Sequence, residues 1–345
     1  MKSMLKIFVI IVCLSSNLHA QQIGCSAFVL NKGKIFLGKN LDWALGNGLI
    51  LFNPRGEIKK SITSEGPAEE WTSKYCSITF NHFGKNLPLG GMNERGLVME
   101  ELSTWPSEYP YDEKLPSLNE LEWIQYNLDT YSSVEEVITK AEDVNISKFA
   151  FRLHYILSDS TGNTAVIEFI DGKTKIYSGE SLPYPVLSNN NYKELLKYIY
   201  SLKKSGRINL KAAASQDRFV TLVNLLSHDV NGESIDEQHA MSFLEAVWVS
   251  DTRWSVVYEI TCKEIYYGTD KSTKTKQINF SGFNFNDEKS YYLSVNADKN
   301  IRFIEMATTD NDKYLKELRN CYSDLSGEES AYIANKISSL IGERK

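Results

Sequence analysis

The stretch Gln21-Gln22-Ile23-Gly24-Cys25-Ser26-Ala27-Phe28-Val29-Leu30 decides how this chain is read. A short spacer ends at a glycine, a cysteine follows, and then an apolar run suited to a buried strand begins. Cleavage ahead of Cys25 leaves a thiol and a free α-amine on one residue. Such a residue needs no histidine, because the amine itself can take the thiol's proton. An α-amine titrates near about 7.7–8.0 and a thiol near about 8.5, so both groups sit close to neutral pH before any tuning. The arrangement predicts attack on an amide carbonyl.

Upstream, residues 1–20 carry the parts of a secretory signal: Lys2 and Lys6, the apolar stretch Ile7 to Leu14, and Ala20 at the expected cut. Leu18 is bulkier than the residue usual three places before a cut. The apolar stretch falls short of the roughly 20 residues a bilayer requires, and no later segment reaches that length. The layout predicts a signal over 1–20, a propeptide over 21–24 and a secreted or periplasmic product. Ile23-Gly24-Cys25 also bears a faint likeness to a lipid-attachment site, although Gln22 stands where leucine is usual.

The net charge is −6, and the basic residues are scattered, which argues against a nucleic-acid surface. Five cysteines and five histidines show neither a CxxC pair nor metal-ligand spacing, so no metal is expected. Cys13 leaves with the signal. Cys76, Cys262 and Cys321 read as buried apolar thiols, with a disulfide among them left open.

Further along, the first half reads mostly as strands: Ser26–Leu30, Lys34–Leu41, Leu49–Phe52, Tyr75–Phe80 and Leu97–Leu102, with a hairpin at Asn31-Lys32-Gly33. Ser117, with Glu120 three residues on, predicts a capping box for a helix over Leu118–Leu128, and Ser133 with Glu136 predicts one before Val134–Ala141. Strands return at Leu153–Ser158, Ala165–Ile170 and Lys173–Tyr177. Helices follow at Tyr192–Leu202, Gln216–Leu226 and Ile235–Val249, then strands at Trp254–Thr261, Glu264–Tyr267 and Gln277–Phe280. Two amphipathic helices close the chain, Asp312–Tyr322 and Glu328–Ile341. This order predicts a layered α+β domain over 25–305, with a helical tail over 306–345 packed on it.

Several ordered blocks then carry a resemblance. Cys25 opens a strand, and Gly38-Lys39-Asn40-Leu41-Asp42, Gly91-Met92-Asn93-Glu94-Arg95-Gly96-Leu97, Leu153-His154-Tyr155 with Ser158-Asp159, Leu187-Ser188-Asn189 and Asp217-Arg218-Phe219 follow. Together, from Cys25 to about Phe280, they resemble the choloylglycine hydrolase family of N-terminal-nucleophile hydrolases, which includes penicillin V acylases. The resemblance implies a four-layer αββα sandwich, hydrolysis of a linear amide through an acyl-enzyme, a small-molecule substrate, no cofactor, and an assembly that can be a homo-oligomer.

It also implies roles. Cys25 matches the nucleophile and Asp42 the aspartate that orients the α-amine. Asn189 matches a side-chain donor to the oxyanion, with the backbone N–H of Ser103 as the second donor; Ser188 to Asn191 also reads as a plain helix cap. Arg218 matches the arginine beside the nucleophile. Lys39 stands where the family's best-studied members have arginine, keeping the charge and losing the planar fork. Glu100 and Glu101 replace small neutral residues. Strand alternation predicts one of them inward and the other away; the one that enters the pocket, with Glu101 the weaker pocket assignment, would repel an anionic bile-salt head and favour a cationic or neutral amide. Trp254 is a weaker pocket-wall assignment among Trp43, Trp105, Trp123, Trp248 and Trp254. His82 and His154 read as packed core residues in preference to a Cys–His pair. Two alternatives stay open: a fatty N-acyl amide or acyl-homoserine lactone acylase of the same fold, and a non-catalytic, lipid-anchored binding protein.

Overall fold

Ser26–Leu30 is buried along its whole length, with no alternation between faces. Such continuous burial requires cover on both sides of a sheet, and the fold supplies it. The computed structural model describes residues 24–63, 65–205, 214–228, 235–297 and 302–342. The expected segments 1–20 and 21–23 lie outside the described residues.

Strand β1 (Ser26–Lys32) turns at Gly33 into β2 (Lys34–Asp42), and the two pair antiparallel from Ser26 opposite Asn40 to Lys32 opposite Lys34. They lie inside a six-stranded sheet in the order Val186–Ser188, β1, β2, Thr252–Glu259, Glu264–Thr269, Ser272–Asn279. A nine-stranded sheet contains Lys173–Ser178, Thr164–Ile170, Leu153–Ser158, Val98–Ser103, Pro88–Asn93, Ser77–Asn81, Leu49–Asn53, Tyr291–Ser294 and Ile304–Glu305, in that order. The sheets face each other. Phe80 of the larger sheet meets Tyr258 and Tyr267 of the smaller edge-on, with centroids 6.3 and 5.7 Å apart, and Tyr258 donates to Glu100 across the interface.

Helices α1 (Glu122–Thr130) and α2 (Val134–Lys140) cover the outer face of the nine-stranded sheet. On the other side, α4 (Ser215–His228) and α5 (Glu237–Glu245) cover the six-stranded sheet, and α3 (Tyr192–Ser205) packs on α4. The result is an α+β sandwich with the layer order αββα. The two remaining helices, α6 (Thr308–Ser323) and α7 (Glu328–Leu340), pack on each other.

The start of α1 corrects the sequence reading. Ser117 lies in a short strand, Ser117–Asn119, that pairs parallel with Asn145–Ser147. Glu120 accepts three backbone N–H groups, from Phe149, Ala150 and Phe151. The reciprocal cap is instead formed by Asn119 and Glu122: the Asn119 side chain accepts the Glu122 N–H at 2.9 Å, and the Glu122 carboxylate accepts the Asn119 N–H at 3.1 Å. Two polar pairs had the same spacing, and the distant 149–151 loop claimed one of them. Ser133 does accept the Glu136 N–H, but Glu136 reaches back to Ser132. Near the third helix block, Asp236 caps α5, which is shorter than the predicted Ile235–Val249.

Several family-like blocks serve this framework. Asn93 donates to the carbonyls of Leu128 and Tyr131 at the end of α1 while accepting from Arg95 and Leu97. Asp159 accepts the Val134 N–H at the start of α2. His154 is fully buried, 3.0 Å from Glu168, away from Cys25 and in the core as expected. The remaining cysteines differ from their reading as buried thiols: Cys76 is buried, Cys321 half-buried and Cys262 exposed, and all are free.

Candidate active site

Cys25 sits one residue ahead of β1, between strands of the same sheet, and is buried. It lies on the wall of a narrow apolar cavity formed with Leu41, Trp43, Phe83, Leu89, Leu121, Phe151 and Leu153, together with Glu101 and Ser103. Trp43 and Phe151 meet edge-on at 5.5 Å, and Phe83 leans on Phe151 at 5.2 Å, so one end of the cavity is aromatic.

Four polar side chains expected at the site converge from four separate stretches. Arg218, from the first turn of α4, donates through Nε to Ser26 at 2.9 Å and through a terminal nitrogen to Asn189 Oδ1 at 3.0 Å. Asn189 Nδ2 donates to the Ser103 carbonyl at 2.8 Å, tying the end of one sheet to the other. Asn191, not Asn189, caps α3 by accepting the Glu194 N–H, which removes the plain-cap reading of Asn189. Asp42 ends β2 fully buried. Its Oδ1 accepts from Thr252 at 2.5 Å, while its Oδ2 has no hydrogen-bond partner among the described residues.

These environments set the charges. Burial pushes the Cys25 thiol up to about 12; the Lys39 charge opposes this, and Glu101 and Asp42 reinforce it. In the chain as described, with Cys25 still joined to Gly24, the thiol is therefore protonated at neutral pH, and among the described residues no side-chain base is hydrogen-bonded to it. Burial also raises Asp42 to about 7, against the Thr252 hydrogen bond and the Arg218 charge. The Arg218 guanidinium is held below its usual range by burial, partly offset by Asp42 and Cys25.

Lys39 departs from a simple cation beside the thiol. Its ammonium is buried between Glu101 at 2.9 Å and Glu100 at 3.1 Å. Burial opposes its charge, but Glu101 and Glu100 together hold it above the ordinary lysine range. The alternation that predicted one glutamate inward and one away is thus corrected: both are buried and both share Lys39. A buried carboxylate needs a cation, and the chain opposite makes room, because a Cβ on Gly90 would stand 2.1 Å from the Glu100 carboxyl carbon. Glu101 remains on the cavity wall, sharing one ammonium with Glu100.

Trp254 is also corrected. It is buried behind the cavity, against His82 and Gly48, and does not line it. Of the other tryptophans, Trp43 is on the wall, Trp123 is in the core against Tyr155, and Trp105 and Trp248 are exposed. Sequence reasoning missed Thr252, Ser26 and the walls Phe83, Leu89, Leu121, Phe151 and Leu153. Only Ser26, next to Cys25, had a local signal; the rest meet through long-range packing.

Gly24 adds a further constraint. A Cβ there would lie 2.1 Å from an Arg218 terminal nitrogen and 2.8 Å from Asn189 Oδ1. The residue before Cys25 is therefore pressed onto the same two side chains that border Cys25.

A four-layer sandwich with a cysteine opening a central strand, beside a buried aspartate and an Arg–Asn pair, defines the N-terminal-nucleophile class of fold. The sequence profile of the linear amide C–N hydrolases, choloylglycine hydrolase family, matches residues 25–219, and the chain belongs to that family. Among curated relatives, a penicillin V acylase of Pectobacterium atrosepticum is 32% identical over 191 residues, covering 50% of each chain. A bile salt hydrolase/transferase of Clostridium perfringens is 28% identical over 162 residues, 42% of this chain and 47% of the relative. The chain thus spans about half the length of the curated relatives it matches. Among solved structures, penicillin V acylase from Agrobacterium tumefaciens superposes with a TM-score of 0.68 at 25% identity, over 78% of this chain and 90% of that one. The conjugated bile acid hydrolase of Clostridium perfringens shares the fold, with a TM-score of 0.65 at 18% identity, over 81% of this chain and all of that one.

Proposed function

We propose that the chain is an exported amidase that matures by cleavage before Cys25 and hydrolyses a linear amide with an apolar acyl group. The observation that carries this reading is the pairing of Cys25, on the wall of an apolar cavity, with a buried Asp42 whose second carboxylate oxygen accepts no hydrogen bond among the described residues. Hydrolysis of the Gly24–Cys25 peptide bond frees an α-amine beside that oxygen. As an ammonium it would satisfy Asp42; as an amine it is the base the thiol lacks.

In the resulting cycle the α-amine takes the Cys25 proton and the sulfur bonds to the substrate carbonyl carbon. The negative oxygen is held by the Asn189 amide and the Ser103 backbone N–H. As the C–N bond breaks, the ammonium returns the proton to the leaving amine. Water then attacks the thioester carbon, giving a proton to the Cys25 α-amine. As the C–S bond breaks, the ammonium returns that proton to the sulfur, releasing the carboxylic acid and regenerating the thiol. Arg218 keeps Asn189 oriented and adds positive charge near the developing oxyanion, a use that suits its fixed donor geometry.

The aromatic and aliphatic wall favours an uncharged acyl group such as phenoxyacetyl, in keeping with the penicillin V acylase likeness, over one ending in a carboxylate that would meet Glu101. The test is the mass of the purified mature chain together with amine release from a panel of amides: phenoxymethylpenicillin, conjugated bile acids, fatty N-acyl amides and acyl-homoserine lactones. The reading expects an unblocked chain beginning at Cys25 and turnover that vanishes in Cys25→Ala. A chain beginning at Gln21 that cleaves at full rate, or an acylated Cys25 without turnover, overturns it.

A further inference from the structure

The C-terminal helix α6 reaches the cavity wall. Tyr322 is buried on it, and its hydroxyl lies 2.5 Å from Trp43 Nε1 and 2.7 Å from His82 Nε2. The other ring nitrogen of His82 lies 2.6 Å from the Asn47 carbonyl oxygen. A carbonyl can only accept, so His82 Nδ1 carries the proton and Nε2 presents a lone pair. Burial lowers the His82 pKa to about 4, in keeping with a neutral ring. An indole N–H can only donate. Every proton in the row is therefore placed: Trp43 donates to the Tyr322 oxygen, Tyr322 donates to His82, and His82 donates to Asn47.

The same helix grips the adjoining segment elsewhere. Tyr314 donates to the His82 carbonyl at 2.9 Å, and Asn311 accepts the Lys85 N–H at 2.8 Å. Phe83, between these anchors, is on the cavity wall. Trp43 itself directly follows Asp42, so its indole links the wall to the end of β2.

We propose that Tyr322 is a positioning residue for acyl-group selection: through the ordered row Trp43–Tyr322–His82–Asn47 it holds the Trp43 indole in place as a wall of the Cys25 cavity. This rests on the reading of that cavity as the acyl site. Replacing the hydroxyl by hydrogen leaves a buried indole N–H and a buried imidazole lone pair without partners, and the cheapest relief is rotation of the Trp43 ring.

The experiment uses the full-length matured protein and Tyr322→Phe, which keeps the ring and its packing. Two readouts are compared: the indole N–H resonance of Trp43, and kcat and KM for a phenoxyacetyl anilide and an acetyl anilide. The Trp43 resonance should move upfield. KM for the phenoxyacetyl substrate should rise about tenfold, the scale of one lost buried hydrogen bond, with kcat much less affected and the acetyl substrate unchanged. In a Trp43→Phe background the same substitution should add nothing, because the two act as one unit. An unmoved Trp43 resonance, equal effects on both substrates, or additivity with Trp43→Phe overturns the proposal. If the wild-type chain beginning at Cys25 releases amine from no substrate, the amidase reading falls, and the resonance still reports separately on the hold of Tyr322 over Trp43.

Discussion

Two buried aspartates in this molecule have opposite surroundings. Asp129, in α1, is saturated: its Oδ2 accepts from Lys59 and from the Trp71 indole, both at 2.8 Å, and its Oδ1 accepts from Gln125 at 2.9 Å. Asp42 is equally buried but, among the described residues, its side chain is hydrogen-bonded to Thr252 alone, on one oxygen. Asp129 carries its own cation and pins the segment around Lys59 to a helix. Among the described residues no lysine contacts the Asp42 carboxylate, and burial raises its pKa to about 7 against the Thr252 hydrogen bond and the Arg218 charge. An incompletely satisfied buried carboxylate is costly, and on the proposed reading the freed α-amine of Cys25 would complete it. The neighbouring lysines repeat the contrast. Lys59 contacts Asp129 at 2.8 Å and stands 3.7 Å from Glu57, which is partly open to solvent. Lys39 lies between two buried glutamates and its charge acts on Cys25.

The largest test of this contrast is removal of the sulfur. Cys25→Ala should release no amine above background and should retain the residues ahead of position 25, read by intact mass; undiminished turnover would detach the chemistry from this end of the molecule. Next, Lys59→Met should cost about 3–5 kcal/mol of stability, since it strands a buried carboxylate, while turnover per folded molecule stays the same. Urea unfolding alongside active-site titration separates the two quantities. Asn189→Ala should lower kcat per folded molecule by roughly 10²–10³ if its amide holds the oxyanion. A separate loss of about 1–3 kcal/mol in stability, from the bonds lost to Arg218 and the Ser103 carbonyl, should be read from the urea midpoint.

A pH experiment sharpens the Asp42 half. Its folded pKa is raised, so the uncut chain binds that proton more tightly than the unfolded chain does. The associated stability is present below about pH 4 and lost as pH rises to about 7. Urea midpoints of the uncut chain, measured as a difference from Asp42→Asn, should show this slope; in the matured chain, where an ammonium can pair with Asp42, it should shrink. The smallest effect concerns Gly24. Gly24→Ala should slow maturation, because the added carbon meets Arg218 and Asn189, yet leave the turnover of the matured fraction as it was.

The layered fold was legible because sandwiched strands read as continuous apolar runs and the helices between them keep a 3.6-residue period; Ser26–Leu30, Leu153–Ser158 and α4 all fell close to their predicted places. The short pieces were not. Ser117–Asn119 and Asn145–Ser147 are strands only because they pair with each other across 28 positions of sequence, from Ser117 to Asn145, and nothing local marks them. The site divided in the same way. Cys25, Asp42, Asn189 and Arg218 stood out through motif blocks, whereas Thr252 was overlooked and Trp254 was taken for a wall that Phe83, Phe151 and Leu153 provide.

Residue chemistry along the chain was enough to single out Cys25, the order of the longer strands and helices, and the family. It could not say that Lys39 would be shared by two glutamates, that Asp42 would keep one oxygen without a partner among the described residues, or that a helix nearly 280 residues beyond Trp43 would hold its indole. Periodicity and turn chemistry act over a few residues, while ion pairing, cavity shape and hydrogen-bond direction depend on which distant side chains the closed sandwich brings within about 3 Å.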